Sequence, residues 1–161
     1  MSAPATIRFP EDYPTIHKAI NAASSEDTII VAAGTYPEYV CVNKSVSLRG
    51  TNRESIIKGA ATPSRVVDVN ASNVEIRGFT VQAPSQSYKG IYVEIPSASV
   101  TNVNITDNTI LGGNDAIFYS RSSNCYIRNN TINRDAYGVR LYDSSNDLVT
   151  ENSINGSTYY G

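Results

Sequence analysis

SVTNVNITDNTILGGNDAIFYS (residues 99–120), RSSNCYIRNNTINRDAYGVRLY (121–142) and DSSNDLVTENSINGSTYYG (143–161) align with one another when they are written as consecutive rows. The alignment gives one polar column and two apolar columns, each with a spacing of 22 residues. The columns are Asn108, Asn130 and Asn152; Ile105, Ile127 and Val149; and Ile110, Ile132 and Ile154. A short fixed period is typical of a solenoid, in which stacked repeats bury an apolar face that one repeat cannot bury alone.

The same rhythm extends upstream as short β-rich segments that are separated by Gly, Pro and Asn. Segments of two to four residues begin at 29–31, 40–42, 46–48 and 56–57, with breaks that include Gly34 and Pro37. The pattern of three segments returns at 67–69, 74–76 and 80–81, and again at 91–93, 103–105 and 109–110. We therefore predict an all-β fold, a right-handed parallel β-helix of about five turns with three short strands per turn. The right hand is expected because parallel crossover connections take that hand. The whole chain, 1–161, forms one domain, with the solenoid over 28–161.

A different period precedes the solenoid. Between residues 13 and 24, apolar side chains recur at i, i+3, i+4 and i+7, at Ile16, Ala19, Ile20 and Ala23. This pattern predicts a short amphipathic helix over 13–24. Because a solenoid exposes its apolar columns at its ends, we interpret the helix as the N-terminal cap, placed before the first strand.

The asparagine column falls at the bend between the second and third strands of each turn. Asn tolerates the left-handed backbone region that such a bend needs, and its amide can donate to one turn while accepting from the next. We therefore predict that Asn108, Asn130 and Asn152 form a structural ladder.

Composition excludes several classes of function. Thirteen basic and fifteen acidic side chains give a net charge of −2, which provides no electrostatic footprint for nucleic acid. No apolar run approaches the roughly 20 residues that a membrane-spanning helix needs. The start of the chain lacks the features of a signal peptide. Cys41 and Cys125 fall about three turns apart, so we expect two free thiols rather than a disulfide.

Alternation within the strands predicts which side chains face outward. If Ile91, Ile117 and Val139 point inward, together with Val93, Tyr119 and Leu141, the residues between them point outward. Polar insertions lie at 82–90 and 94–102, and the first of them, together with 58–65, would border this outer face and make it a shallow trough. The candidate ligand-binding residues are the outward side chains of this face and the first residue after one of its strands: Asp68, Tyr92, Glu94, Phe118 and Arg140.

Several segments resemble a known group of proteins. PTIHKAINAA (14–23), DTIIVAAGTY (27–36), VNKSVSLRG (42–50), NTI (130–132) and GVRLYDSSN (138–146) are similar to right-handed parallel β-helix proteins of the NosD-like and CASH (carbohydrate-binding proteins and sugar hydrolases) group. The N-terminal region has a more distant likeness to pectin methylesterases. The resemblance implies an extracellular or cell-surface location, with any signal peptide absent from this sequence.

The resemblance also gives catalytic and metal-binding motifs to look for. GFTVQ (78–82) resembles a pectin methylesterase segment, but the Gln and paired Asp motifs expected downstream are missing. NDAI (114–117) resembles an acid-bearing motif of polygalacturonases, without the Asp-Asp pair that accompanies it, so Asp115 is interpreted as a turn residue. NosD implies copper, yet one His, one Met and two distant Cys cannot build a copper site. We expect no metal, no cofactor and no catalytic residue.

Three hypotheses for the function follow. The first is a carbohydrate-binding or cell-surface module that recognises an extended polysaccharide without catalysis, with sugar rings against Tyr92 and Phe118. These two aromatic side chains could equally stabilise the sheet by cross-strand pairing. The second is a polysaccharide hydrolase or lyase, in which Asp68 and Glu94 supply paired carboxylates, or Arg140 or Lys89 acts as a base. The third is a structural repeat that self-associates end to end.

The C-terminal end of the solenoid leads to a prediction about self-association. No capping helix follows Ile154, so the last turn would present unpaired strand edges, and the chain would be a fragment of a longer β-helix or be covered by a second copy. We expect self-association through residues 139–161, as a two-fold homodimer.

Overall fold

The backbone of the computed structural model coils through about seven turns that stack into three main sheets. The structure describes residues 3–133 and 136–159 of the 161-residue chain. Every strand pair in it is parallel. The all-β parallel β-helix predicted from the sequence is therefore confirmed, and a single short helix accompanies it among these residues.

Each sheet takes one strand from successive turns. Sheet A has seven strands: β1 (Thr6–Phe9), β2 (Thr28–Val31), β5 (Ser47–Gly50), β8 (Val74–Arg77), β12 (Val103–Thr106), β16 (Tyr126–Arg128) and β19 (Leu148–Thr150). Sheet B has six strands: β3 (Gly34–Pro37), β6 (Ser55–Lys58), β9 (Thr80–Gln82), β13 (Thr109–Leu111), β17 (Thr131–Asn133) and β20 (Ser153–Asn155). Sheet C has five strands: β4 (Val40–Val42), β7 (Arg65–Val69), β10 (Lys89–Val93), β14 (Asp115–Ser120) and β18 (Tyr137–Tyr142). A two-residue pair, β11 (Val100–Thr101) and β15 (Ser122–Ser123), extends one bend.

The predicted count of about five turns was wrong. Sheet A has seven strands because Thr6–Phe9 forms β1 and pairs with β2, although the sequence pattern placed the first strand at Thr28. Residues Gly34–Pro37, which looked like a break, form β3. Pro37 is compatible with a strand there because β3 lies at the edge of sheet B, where a missing N–H costs little.

The 22-residue columns form the interior of the solenoid. Ile105 pairs with Ile127 and Ile127 with Val149, so the predicted register is confirmed. Ile105 and Ile127 are buried, whereas Val149, predicted to lie inside, is 41% exposed. Leu141 pairs with the buried Tyr119 but is 40% exposed. Both exceptions belong to the last strands of their sheets, with no further described strand to cover them.

The predicted helix is confirmed as α1 (Ile16–Ala22), shorter than the expected range 13–24. It begins after Thr15, whose hydroxyl accepts a hydrogen bond from the Lys18 N–H. The expected apolar face is buried. Its position differs from the prediction, since α1 follows β1 instead of preceding every strand.

The asparagine ladder is confirmed. The Asn130 amide nitrogen donates to the carbonyl of Ile105 and to Oδ1 of Asn152, at 2.9 Å each, and its own oxygen accepts from the Asn108 N–H. The left-handed residues, however, are not the ladder asparagines. Positive φ occurs one position earlier in each turn, at Asp107, Asn129 and Glu151. The ladder side chains point inward, and the residue before them makes the bend.

Both cysteines are free, as predicted. Cys125 is buried, and its sulfur accepts the Val103 N–H at 3.3 Å. Burial raises the pKa of the Cys125 thiol to about 11, so the thiol stays protonated at neutral pH. Its contacts are those of a structural residue.

Candidate ligand-binding face

The outer face of sheet C carries most of the predicted site. Strand register places one outward side chain per turn in a single column: Cys41, Asp68, Tyr92, Phe118 and Arg140. A second column begins at Arg65 and continues through Lys89 and Asp115. The alternation read from the sequence thus brings Asp68, Tyr92, Phe118 and Arg140 together, and Glu94 follows directly after β10.

The aromatic side chains form a closed stack along the solenoid axis. The Tyr92 and Phe118 rings are parallel within 5°, with their centroids 5.1 Å apart. The Arg65 guanidinium lies 3.8 Å from the Tyr92 centroid, and the Arg140 guanidinium lies 5.1 Å from that of Phe118. The Lys89 ammonium contacts both rings. The two rings are consequently only 7% and 9% exposed, so little of their surface is open to a ligand.

Two carboxylates of this face are buried beneath cations. Asp68 is 4% exposed; it accepts a hydrogen bond from the Tyr39 hydroxyl at 2.9 Å and pairs with Arg65 at the same distance. Asp115 is fully buried and pairs with Arg140 at 3.1 Å and with Lys89 at 3.6 Å. The prediction that Asp115 is a turn residue was wrong, because Asp115 begins β14 and pairs with two cations of the face.

Glu94 is the more accessible carboxylate. Its Oε2 accepts the Tyr92 hydroxyl at 2.5 Å, and its Oε1 lies 3.3 Å from Nη2 of Arg121. The hydrogen bond from Tyr92 lowers the pKa of Glu94, while burial and the Glu94 carboxylate raise the pKa of Tyr92 to about 12. At neutral pH, Glu94 is therefore an ionised hydrogen-bond acceptor and Tyr92 a neutral donor.

A shallow depression opens at the C-terminal end of this face. Its volume is about 560 Å³, and its lining comprises Tyr92, Glu94, Phe118, Ser120, Arg140, Leu141 and Tyr142. Four of the five predicted residues line it, and Asp68 does not. Tyr142 was missed, although it pairs with Ser120 in the predicted 22-residue register. It is 66% exposed and provides an open aromatic surface.

The polar insertions meet at the start of the sheet C strands. The Tyr88 hydroxyl donates to the carbonyl oxygens of Ala60 and Ala61, which joins the 58–65 and 82–90 segments. Beyond Glu94, the carbonyl of Ile95 accepts a hydrogen bond from Arg121. These contacts hold the segments that flank the face.

The match to a known family covers most of the solenoid. The model of the family described as periplasmic copper-binding protein (NosD) matches residues 20–161. The chain belongs to the NosD family. A "Cell surface glycoprotein" from Methanothermus fervidus is 36% identical over 100 residues, which are 61% of this chain and 16% of that protein. The matched part is thus a small fraction of the longer relative.

Solved structures show the same fold at low sequence identity. A pectin methylesterase variant crystallised with a hexasaccharide has a TM-score of 0.56 and 11% identity, covering 90% of this chain and 67% of that chain. The pectin methylesterase from Aspergillus niger has a TM-score of 0.51 and 14% identity, covering 100% of this chain and 91% of that chain. These likenesses confirm the parallel β-helix fold predicted from the sequence.

The copper in the family's description does not fit the donors of this chain. Copper sites favour His, Cys and Met ligands. His17 lies on α1, Cys41 on the outer face of sheet C, and the Cys125 sulfur accepts a backbone N–H. Across residues 3–133 and 136–159, no three His, Cys, Asp or Glu side chains cluster closely enough to hold a metal ion.

Within the same described ranges, no helix has the length and apolar character needed to cross a bilayer.

Proposed function

We propose that this NosD-family domain is a carbohydrate-binding module of the cell surface that recognises an extended polysaccharide without cleaving it. The observation that carries the proposal is the depression on sheet C, where the open ring of Tyr142 lies beside Glu94, Ser120 and Arg140. An aromatic surface next to charged hydrogen-bonding groups suits a sugar, which has both apolar C–H faces and hydroxyl groups.

The stacked rings of Tyr92 and Phe118 form the base of the site, and their faces are not open for a sugar to stack on. The ring faces are covered by one another and by Arg65, Lys89 and Arg140, so the proposed stacking surface moves from Tyr92 and Phe118 to Tyr142. Glu94 accepts hydrogen bonds from sugar hydroxyls, and Arg140 donates to them. Because both charged groups are already held by neighbours, little side-chain entropy is lost on binding.

The charge states of the face favour binding over hydrolysis. A glycosidase needs one carboxylic acid that stays protonated, with a raised pKa, to donate to the leaving oxygen. The pKa of Glu94 is lowered, and Asp68 lies beneath Arg65 and Tyr39. The alternative, a polysaccharide hydrolase or lyase, would draw support from the pectin methylesterase fold, but that fold hosts many chemistries.

The relatives support an extracytoplasmic location. One relative is named as a cell surface glycoprotein, and the family description places NosD in the periplasm. A domain that binds polysaccharide at the cell surface is consistent with both names.

A second copy of the chain is a further partner in this proposal. Leu141, Val149 and Ile154 continue the interior columns to the last turn, where two of them are strongly exposed. Stacking this turn on that of a second copy would bury them in a two-fold homodimer. The third hypothesis, a structural repeat that assembles end to end, uses this surface without any carbohydrate.

A glycan array followed by titration calorimetry tests the binding function. We expect one polysaccharide class to bind, and Tyr142→Ala to weaken its binding at least about tenfold, equivalent to about 1.4 kcal/mol. Tyr126→Ala is the matched control, because Tyr126 is a 49% exposed tyrosine on sheet A. Binding that is insensitive to Tyr142→Ala would contradict the site, and sugar release from the bound polysaccharide would favour an enzyme.

A further inference from the structure

A larger groove lies on sheet B, away from the sheet C face. It has a volume of about 680 Å³ and follows the C-terminal ends of β9, β13, β17 and β20. Strand register places four of its lining side chains in one column, one per turn: Gln82, Leu111, Asn133 and Asn155. The groove therefore runs along the solenoid axis across four turns.

Among the residues that the structure describes, the lining of this groove carries no charge. Ala83, Gly112 and Gly156 complete it, so its polar side chains are all primary amides. Within residues 3–133 and 136–159, the amides of Gln82 and Asn133 make no side-chain hydrogen bond, while the Asn155 amide nitrogen donates to Ser153. Each amide can donate and accept, which is also the hydrogen-bonding capacity of a sugar hydroxyl.

Two glycines at the ends of the strands keep the groove open. Gly112 and Gly156 have φ values of +74° and +71°, and neither has a side chain that could project over the amide column. A Cβ added to Gly112 would lie 3.3 Å from the carbonyl oxygen of Ala83, in a backbone conformation that disfavours other residues. Because the glycines at these bends carry no side chain, Leu111 and the amide side chains of the column are accessible from one side.

The repeat spacing sets the shape of a ligand for this groove. Neighbouring strands lie about 4.8 Å apart, so hydrogen-bonding groups recur at that interval along the axis. Leu111 adds an apolar surface between Gln82 and Asn133 in the same column. A chain-like ligand with repeating hydroxyl groups and apolar C–H faces matches this arrangement.

We infer that the sheet B groove binds an extended neutral glycan, separately from the charged site on sheet C. Neutrality follows from the described lining, because a charged sugar would lose hydration there without meeting an opposite charge within it. Lys58, the next residue of the column, pairs with Gln82 one turn earlier and lies outside the lining. The Tyr142 site, in contrast, carries Glu94 and Arg140. The two surfaces therefore differ in the class of glycan that they accept.

Titration calorimetry with cellohexaose, xylohexaose and mannohexaose tests the groove, with hexagalacturonate as the charged probe. We expect at least one neutral hexasaccharide to bind, and the double variant Asn133→Ala/Asn155→Ala to raise its Kd at least about tenfold. Leu111→Glu, which places a carboxylate in the groove, provides a second variant with the same expected loss. Circular dichroism melting identifies the folded variants.

Two matched variants separate this inference from the sheet C site. Asn104→Ala removes an outward amide from sheet A, and Tyr142→Ala alters the charged site; both should leave binding of the neutral glycan unchanged. The inference is overturned if no neutral hexasaccharide binds, if hexagalacturonate binds more tightly in the groove, or if folded groove variants bind normally. It is also overturned if Tyr142→Ala abolishes the same binding.

Discussion

Asn130 connects three turns through its side chain alone. Its oxygen accepts from the N–H and the amide group of Asn108, and its amide nitrogen donates to Ile105 and Asn152. These contacts satisfy backbone groups at a buried bend, where water cannot replace them. Asn152 makes the corresponding contacts with Asn130 and Ile127 at the last turn, but its amide nitrogen has one acceptor fewer and the contacts are only partly buried.

Replacement of Asn130 by Ala should therefore be costly. Each buried group left without a partner costs about 1–3 kcal/mol, so we expect Asn130→Ala to lower the free energy of unfolding by about 3 kcal/mol. For a chain of this size, the melting temperature should fall by roughly 10 °C. Thermal and urea denaturation measure both quantities. Asn152→Ala is the matched control and should lower the free energy of unfolding clearly less. Equal decreases in the two variants would contradict the importance of burial.

At the scale of an element, the contribution of a strand to the stability of the fold depends on its position in the stack. Ile127 on β16 lies between Ile105 on β12 and Val149 on β19, so its side chain is covered from both sides. Val149 occupies the same column but has a neighbour on one side only. Ile127 and Val149 are thus two positions of one column that differ strongly in solvent exposure.

We expect Ile127→Asp to abolish cooperative folding, because an unpaired buried charge costs several kcal/mol. Val149→Asp should remain folded, since its carboxylate can reach water at the end of the stack. Circular dichroism melting of the two variants checks this difference. A soluble Ile127→Asp protein with a cooperative transition would refute the assigned core register.

Local signals explain which elements the sequence predicts. The columns through Ile105, Asn108 and Ile110 repeat closely enough to predict the strand register and which side chains point inward. Strands β1 and β3 escape this reasoning because they lack that repeat: β1 precedes the helix, and β3 contains Gly34 and Pro37. Their pairing depends on tertiary contacts with neighbouring turns.

The candidate site was predictable in position but not in solvation. Alternation places Tyr92 and Phe118 outside the solenoid, which the structure confirms. It cannot show that Arg65 and Lys89 cover the rings or that Asp68 is buried, because these contacts depend on side-chain conformations across turns. Tyr142 became a candidate only when its exposure was known.

At the scale of the whole molecule, the two ends of the solenoid differ. At the N-terminal end, Ile16, Ala19 and Ile20 of α1 pack into the interior. In the last turn, Val149 and Leu141 present the interior columns to solvent. The Tyr159 ring stacks on that of Tyr137, with the two centroids 5.5 Å apart.

We expect the apolar last turn to promote homodimer formation. Light scattering across a concentration series should show the apparent mass rising toward twice that of the monomer. The double variant Leu141→Glu/Val149→Glu should remain monomeric, because charges in the contact would be desolvated. Leu148→Glu, on the outer face of sheet A, is the control and should still associate. A wild-type protein that is monomeric at all concentrations would disprove this contact.

The asparagine ladder has a consequence for how such a chain can change in length. Asn130 meets Asn108 on one side and Asn152 on the other through the same pair of contacts, which makes the last three rungs interchangeable. A duplication or deletion of one 22-residue unit would leave every remaining rung with a matching neighbour. Duplication of a unit that carries Asn133 or Asn155 would also lengthen the sheet B groove by one amide-bearing position, so the reach of the molecule along a polymer can be altered without redesigning its interior.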